Sequence, residues 1–258
     1  MDIKIAEIVE YIEKSLMTDS QEPWDNSGIQ IGSKNSSVEK ILLCMDITDK
    51  NVDFAVENNI DLILSHHPLF FDSIKSISSD DYKGKLIYKS IKNNLNIYSM
   101  HTDLDKAKFG VNYEIAEILG LKIEKPLIEY DDGSSMGIIS KTSVTKEEIL
   151  ERIKEKITSK SFKLYGKDKE KISKIALLGG SGMFAFENVI KNGCDLFITS
   201  DVKYHDGQKA YENDILLVDI NHFFMEKVIL KSLKLKIQQK FENLEIFISK
   251  ENPFLIED

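Results

Sequence analysis

The sequence predicts an α/β fold made of two similar lobes, and three observations lead to that prediction. Short apolar runs of strand length alternate with segments that carry a helical apolar stripe. Alternation of this kind implies parallel strands joined by right-handed crossovers. The strand–helix–strand rhythm of the first half returns 134 positions later, so that Ile41 is matched by Ile175 and Asp61 by Asp195. A repeated unit of this size favours two related lobes.

Residues 1–127 are predicted to form the first lobe. Its opening helix is marked by the apolar stripe of Ile5, Ile8 and Ile12. The stretch 23–32 is a loop that holds the lone tryptophan and runs into alternating residues, and it is interpreted as a packed turn, because Asp, Asn and Gly are ordinary turn residues. The elements predicted in this half are helices at 3–16, 51–58, 83–93 and 112–119, and strands at 41–46, 62–65 and 97–100.

Residues 128–258 are predicted to form the second lobe, after a soft boundary near the turn-rich run 131–135. Thr145 and Glu148 have the spacing of a capping box. The glycine-rich run 179–182 follows a strand and is either a phosphate-binding turn or a plain tight turn, since it lacks the lysine and spacing of a P-loop. The elements predicted here are strands at 136–140, 175–178, 215–218 and 244–248, and helices at 145–157 and 223–233.

Bulk composition narrows the class of protein. The chain has 258 residues, 42% of them hydrophobic, which is enough for a real core in one large or two modest domains. A net charge of −9 argues against a general nucleic-acid-binding protein. Cys44 and Cys194 lie in apolar segments and are interpreted as buried reduced thiols. With no signal-peptide pattern and no membrane-length apolar run, we expect a cytoplasmic protein without a membrane partner.

The chain is organised around an apolar run, Leu62–Leu64, that leads through Ser65 into His66, His67 and Pro68. Pro68 cannot continue a central strand, so the two imidazoles are predicted at the strand's C-terminal end, where open α/β sheets place ligands. Successive strand side chains point to opposite faces. The two rings could therefore not easily bind the same metal ion, whereas two neighbouring ions could each be bound by one ring. The alternative is a pair of structural histidines.

Every histidine of the chain falls at or just after a predicted strand end, and two carboxylates accompany them. Asp105 lies four residues after a histidine, and Glu226 is spaced i, i+4 from another, so that both would share one helix face. Imidazole with carboxylate suits zinc, iron, manganese, cobalt or nickel, and a carboxylate able to bridge makes a dinuclear site the simplest interpretation. The five histidines are His66, His67, His101, His205 and His222.

Five short motifs follow one another along the chain. They are Trp24-Asp25-Asn26-Ser27-Gly28, Ser65-His66-His67-Pro68, His101-Thr102-Asp103-Leu104-Asp105, Asp201-Val202-Lys203-Tyr204-His205 and His222-Phe223-Phe224-Met225-Glu226. His-His-Pro alone is a weak signal, whereas five motifs in a fixed order are a strong one. Together they resemble the GTP cyclohydrolase I type 2 family, also called the NIF-three-like family. The resemblance runs from residue 3 to Phe254 and is to the short form, without the domain inserted in longer members.

The resemblance implies two interlinked α/β lobes with a dinuclear metal site between them, and a toroidal homohexamer. By the same resemblance, His101 would either contact the metal ligands without binding metal itself or transfer protons. His205 and Lys203 would face the same cavity. The candidate catalytic residues are therefore His101 and His205. Carried over by motif, the ligands of two divalent transition-metal ions per chain are His66, His67, Asp105, His222 and Glu226, with Glu226 bridging.

Three positions depart from the family pattern, although none of them removes a ligand. Asp103 stands where many members have Asn, Ser200 where Gly is usual, and Asn221 where Gly often precedes the histidine. Asp103 would add negative charge near the metals, which could change the preferred substrate.

Three functions remain open at this stage. The family name implies hydrolysis of GTP to formate and a dihydroneopterin triphosphate. The alternatives are a metal-dependent hydrolase of another nucleotide or phosphoester, and a non-enzymatic metal-binding scaffold or regulator, because fold and metal site do not fix the substrate. Phosphates would need cations, and the candidates near the motifs are few: Lys106, Lys108, Lys203 and Lys209.

Overall fold

The computed structural model describes residues 2–158 and 162–253, and within them it has the predicted α/β architecture. A 3₁₀ turn at Met183–Ala185 accompanies the regular elements. In chain order these are α1 (Ile5–Ser15), β1 (Gly28–Ile31), β2 (Lys40–Cys44), α2 (Asp49–Glu57), β3 (Leu62–Ser65), α3 (Tyr82–Lys92), β4 (Asn96–Ser99), α4 (Thr102–Asp105), α5 (Val111–Ile118), β5 (Ile123–Glu129), β6 (Ser135–Thr145), α6 (Lys146–Lys156), β7 (Phe162–Gly166), β8 (Lys171–Ser181), α7 (Phe186–Lys191), β9 (Leu196–Ser200), α8 (Tyr204–Glu212), β10 (Leu216–Ile220), α9 (His222–Glu226), α10 (Ile229–Lys240) and β11 (Glu245–Ile248).

These elements form two compact units, which we call unit 1 and unit 2. Of the described residues, unit 1 contains 2–104 and 230–253, and unit 2 contains 105–158 and 162–229. The chain therefore leaves unit 1 within α4 and returns to it for α10 and β11, so the units are not colinear with the predicted lobes 1–127 and 128–258. That division stays a prediction.

Unit 1 is built on a sheet in the order β1-β4-β3-β2-β11. Strands β2, β3, β4 and β11 run parallel, and β1 is antiparallel to β4. The predicted parallel pairing is confirmed, because β2 and β3 pair in parallel and α2 lies between them in the chain. The central strands are apolar on both faces: the adjacent residues Leu42 and Leu43 of β2 point to opposite faces and both are fully buried, as in strands covered on both sides.

Unit 2 is built on a sheet in the order β5-β6-β8-β9-β10-β7. Its centre, β8-β9-β10, is parallel, and β5, β6 and β7 pair antiparallel at the edges. The capping box that starts α6 is confirmed: the Thr145 hydroxyl accepts from Glu148 N at 3.1 Å, and Glu148 accepts from Thr145 N at 2.8 Å.

The repeat found in the sequence extends to side-chain hydrogen bonds. In unit 1 the carboxylate of Asp61 accepts from two consecutive backbone N–H groups that end at Lys40, at 2.8 and 2.9 Å. In unit 2 the carboxylate of Asp195 accepts from the two N–H groups that end at Lys174, at 2.8 and 3.0 Å. Asp61 ties the start of β3 to the start of β2, and Asp195 ties the start of β9 to the third and fourth residues of β8, so the two sheets share a hydrogen-bonding arrangement as well as a sequence pattern.

Three local predictions differ from the structure. The run 179–182, predicted as a turn after a strand, continues β8 as far as Ser181, because a bulge lets the chain bend there without leaving the sheet. The helix predicted at 223–233 is divided into α9 and α10. Strands β5 and β7 were not predicted, since both are edge strands without a continuous apolar run. Across residues 2–158 and 162–253, no helix is both long and apolar enough to cross a bilayer.

Candidate metal centre

The end of β3 brings three imidazoles of unit 1 together. Past Ser65 the chain keeps pairing with its neighbour, since His66 N donates to Cys44 O at 3.0 Å and His67 N to Met45 O at 2.9 Å. His101 follows the end of the adjacent parallel strand β4. The ring centroids lie 4.9 Å apart for His66 and His67, 5.4 Å for His66 and His101, and 5.6 Å for His67 and His101.

A ring nitrogen from each of these three side chains lies within 4.8 Å of the other two, so the group could hold a metal ion. We call it the imidazole cluster: His66, His67 and His101. His66 is buried and the other two are partly buried. The prediction that ligand-type side chains gather at this strand edge is thus confirmed for these three residues.

Hydrogen bonds hold every ring of the imidazole cluster in the same tautomer. Nδ1 of His66 lies 2.8 Å from the carbonyl oxygen of Met100, which can only accept, so Nδ1 is the donor. Nδ1 of His67 lies 2.8 Å from Asp46, and Nδ1 of His101 lies 2.8 Å from Asp25. The nitrogen that would coordinate a metal or exchange a proton is then Nε2. Metal-binding histidines are commonly oriented by such partners.

The loop before β1 holds His101 in place. The carboxylate of Asp25, whose side chain is fully buried, bonds to His101 through one oxygen and accepts from the Thr102 backbone N–H (3.0 Å) and hydroxyl through the other. The Ser27 hydroxyl accepts from His101 N at 3.0 Å. Burial raises the pKa of Asp25, but the hydrogen bonds from His101 and Thr102 outweigh it and hold the pKa well below its usual range.

Asp103, the departure from the family pattern, is buried beside this loop. Burial raises its pKa to about 6, against the lowering effect of hydrogen bonds from the Ser27 hydroxyl (2.9 Å) and Leu104 N (2.8 Å). The nearby charge of Asp25 raises it further. Asp103 therefore releases its proton closer to neutral pH than an ordinary aspartate does.

Unit 2 contributes a second group, at the start of α9. Nε2 of His222 lies 2.9 Å from Oε2 of Glu226, which confirms that the i, i+4 spacing puts both on one helix face. Nδ1 of His222 lies 2.7 Å from Asp201, a residue in the left-handed region at φ 57°. Burial lowers the pKa of His222, but hydrogen bonds and charge from Asp201 and Glu226 prevail and raise it to about 11.

A glycine makes room for this group. Gly180 lies in the β8 bulge at φ +70°, and a Cβ there would clash with Oε1 of Glu226 and lie 3.3 Å from Nε2 of His222. Gly180 therefore allows the side chains of His222 and Glu226 to pack closely against the backbone of β8. A cradle that only glycine leaves open, an acidic pair and an imidazole together suit a divalent cation.

Asp105 is buried in unit 2, and its backbone is hydrogen-bonded to the side chain of Asn112. The Asn112 amide donates to the backbone oxygen of Asp105 at 2.9 Å and accepts from Gly179 N at 2.8 Å. Asn112 is itself buried, so this link fixes the end of α4 against the β8 bulge.

The other predicted residues His205, Lys209 and Lys106 all belong to unit 2. His205 is exposed in the first turn of α8, where its Nδ1 is 3.4 Å from Oε1 of Gln208. Among residues 2–158 and 162–253, it belongs to none of the groups of side chains that could hold a metal ion. Lys209 pairs with Glu187 at 2.7 Å. Lys106 is buried with its amine 4.2 Å from the Tyr130 ring.

Sequence reasoning did not identify the residues that orient the histidines. Asp46 lies two residues after the end of β2, so its position near a strand end is a usable signal. The sequence singles out Asp201 only as part of a family motif. Asp25 lies in the predicted packed turn, and Pro23 and Trp24 do form a turn there, but the aspartate bonds to a residue 76 positions away, which no local pattern reveals.

The chain is similar over nearly its whole length to proteins of one family. The family model described as Duf34/NIF3 (NGG1p interacting factor 3) matches residues 3–253. A Clostridium perfringens protein named "GTP cyclohydrolase 1 type 2 homolog" is 34% identical over 259 residues, covering 98% of this chain and 99% of that one. A protein of the same name from Clostridium acetobutylicum is 32% identical over 261 residues, covering 98% and 97%.

Solved structures agree on the fold. The crystal structure of a Bacillus cereus protein related to NIF3 matches with a TM-score of 0.90 at 23% identity and covers the whole of both chains.

Proposed function

The chain belongs to the Duf34/NIF3 family, and from that premise we propose that it is a dinuclear metal-dependent hydrolase similar to GTP cyclohydrolase 1 type 2. The observation that carries the proposal is the imidazole cluster, in which every Nδ1 is engaged by an oxygen acceptor and Nε2 is the atom offered for coordination. Curated relatives that match nearly the whole chain supply the reaction class.

By family motif, we assign His66, His67, Asp105, His222 and Glu226 as the residues that would hold two divalent transition-metal ions. Three imidazoles and two carboxylates suit zinc, iron, manganese, cobalt or nickel. The cradle at Gly180 and the acidic partners of His222 support the unit 2 part of this set.

Such a pair of ions, when bound, lowers the pKa of water and stabilises the charge that develops on the substrate oxygens. The chain's own contribution is proton transfer. Nε2 of His101 is the proposed acceptor, because Asp25 holds Nδ1 as the donor and fixes the direction of the ring. His205 is proposed as a second proton-transfer group on the strength of the family motif, although it is exposed on α8.

The supply of positive charge near the family motifs bears on which substrate the site would take. Triphosphates need cations, and of the four candidate lysines Lys209 is paired with Glu187 and Lys106 is buried against Tyr130. Lys108 and Lys203 are exposed. Because few lysines are available to bind three phosphates, we favour a smaller phosphoester or another nucleotide as substrate.

A substrate screen tests the proposal. Protein loaded with each candidate metal is incubated with GTP and a panel of nucleotides and phosphoesters, and formate and phosphate release are followed. We expect turnover of at least one compound and a roughly 10²–10⁴-fold lower rate in His101→Asn with metal content kept. Turnover of nothing in the panel, together with metal-dependent binding of a partner protein, would favour the scaffold alternative.

We also propose the toroidal homohexamer of the family for this chain, and a cytoplasmic location. Light scattering in physiological salt should give six times the 29.5 kDa chain mass. A clean monomer at micromolar concentration contradicts the assembly.

A further inference from the structure

The imidazole cluster is bordered by two exposed aromatic side chains that the proposed chemistry does not use. Trp24 is 61% exposed and Phe71 is 49% exposed. Both rings pack edge-to-face on His101, with centroid separations of 5.8 Å for Trp24 and 5.5 Å for Phe71. We call these two residues the aromatic shelf.

Single exposed apolar side chains are common on protein surfaces and need no explanation. The aromatic shelf differs because both rings contact the same imidazole, and that imidazole belongs to a cluster of ligand-type side chains. Small-molecule sites characteristically combine aromatic walls with a few well-placed polar groups. Here the polar groups are His101 and the buried Asp25 behind it.

Hydrogen bonds tie together the two segments that carry the aromatic shelf. The Asn26 amide donates to the carbonyl oxygen of Phe70 at 2.7 Å, and the side-chain oxygen of Gln30 accepts from Phe70 N at 3.3 Å. Trp24 and Phe71 thus stand next to residues that are cross-linked to each other. Their rings are held near His101 before any ligand arrives, which reduces the entropy lost on binding.

We propose that the aromatic shelf binds a planar heteroaromatic ring by stacking and presents that ring to His101. The ligand class is a nucleobase or a similar fused nitrogen heterocycle, since an exposed indole and phenyl offer π-faces and little hydrogen-bonding discrimination. This inference rests on the proposed function, because it names the part of the substrate that the same site would hold. Ring-free phosphoesters would gain nothing from the two residues.

The lone tryptophan makes the proposal directly measurable. Guanosine 5′-monophosphate is titrated into the full protein as purified, and again in the presence of a chelator, while Trp24 emission is followed with correction for absorption by the base. We expect saturable quenching by this probe and none by ribose 5-phosphate, which lacks the ring. Phe71→Leu should weaken the affinity about 5- to 150-fold, the loss of one base–aromatic stack.

Tyr88→Leu is the matched control, because Tyr88 is an aromatic residue of the same unit, 56% exposed on α3. It should leave the titration unchanged. Trp24→Leu, followed by calorimetry, should weaken binding as Phe71→Leu does. Equal affinity in wild type, Phe71→Leu and Trp24→Leu would overturn the proposal. So would an emission maximum typical of a buried indole before ligand is added, which would indicate a contact between subunits instead.

The same data separate this inference from the hydrolase proposal. Quenching that depends on Phe71, in a protein that hydrolyses nothing in the panel, supports the aromatic shelf and counts against the hydrolase. Hydrolysis of ring-free phosphoesters without any quenching supports the hydrolase and overturns the aromatic shelf.

Discussion

Nδ1 of His101 lies 2.8 Å from Oδ1 of Asp25, and the other oxygen of that carboxylate accepts from Thr102. The aspartate therefore sets both the tautomer and the direction of the imidazole. Carboxylate–histidine pairs recur in this protein, at Asp46 with His67 and at Asp201 with His222. Only the pair with Asp25 orients a histidine that we assign to proton transfer instead of coordination.

Asp25→Asn should disable this arrangement while leaving the metals in place. An amide has one accepting oxygen, so either His101 or Thr102 loses its acceptor. We expect the hydrolytic rate to fall roughly 10²–10⁴-fold, as in His101→Asn, with unchanged metal content. Asp19→Asn, an exposed aspartate of the same unit, serves as control. A variant with wild-type rate would show that the pair has no catalytic role.

Gly180→Ala should remove metal held by the unit 2 group. The added methyl group would clash with Glu226, and the positive φ adds backbone strain of about 1 kcal/mol. Gly193→Ala is a matched control, since its φ of +61° is similar but nothing lies within 4 Å of the added Cβ. We expect both variants to lose some stability and only Gly180→Ala to lose metal. Equal metal loss in the two would trace the effect to backbone strain.

Asp103→Asn should change how stability depends on pH. Burial raises the pKa of Asp103 from 3.8 to about 6, so the folded chain holds this proton more tightly than the unfolded chain. Asp103 therefore costs nothing below pH 3.8 and destabilises increasingly as pH rises toward 6. Above that, the cost reaches up to about 3 kcal/mol, because a tenfold difference in proton affinity between the folded and unfolded chains corresponds to about 1.4 kcal/mol.

The asparagine keeps a side-chain oxygen for Ser27 and Leu104 and cannot ionise. In chelator-treated protein we expect Asp103→Asn to match wild type in thermal unfolding near pH 4 and to exceed it at pH 7.5. A constant difference between the two proteins at both pH values would mean that the ionisation of Asp103 does not affect folding.

The sequence predicts the two sheets well where strands are apolar and buried. The predicted bounds of β3, 62–65, are the observed ones. The aspartates matched in the sequence repeat, Asp61 and Asp195, make the same kind of side-chain hydrogen bond to the preceding strand. The sequence predicts the sheet edges least well: β5 and β7 alternate weakly, and the glycines of the β8 bulge have the composition of a turn. Edge strands bury one face at most, so their apolar signal is thin.

The imidazole cluster was also predictable, because parallel strands end at a common edge. The oxygens that orient the rings were not. Met100 acts through its backbone carbonyl, and Asp25 reaches His101 from a segment 76 positions away. Long-range pairs of this kind depend on the tertiary fold, and a single sequence carries no signal for them.

Metal analysis is the most direct test of the proposed centre. Purified wild-type protein should carry about two transition-metal ions per chain, as a two-metal site requires. Glu226→Gln and His66→Ala should each lose at least one, while Glu212→Gln, a change at an exposed position on α8, should lose none. Full metal occupancy in both ligand variants would contradict the assignment.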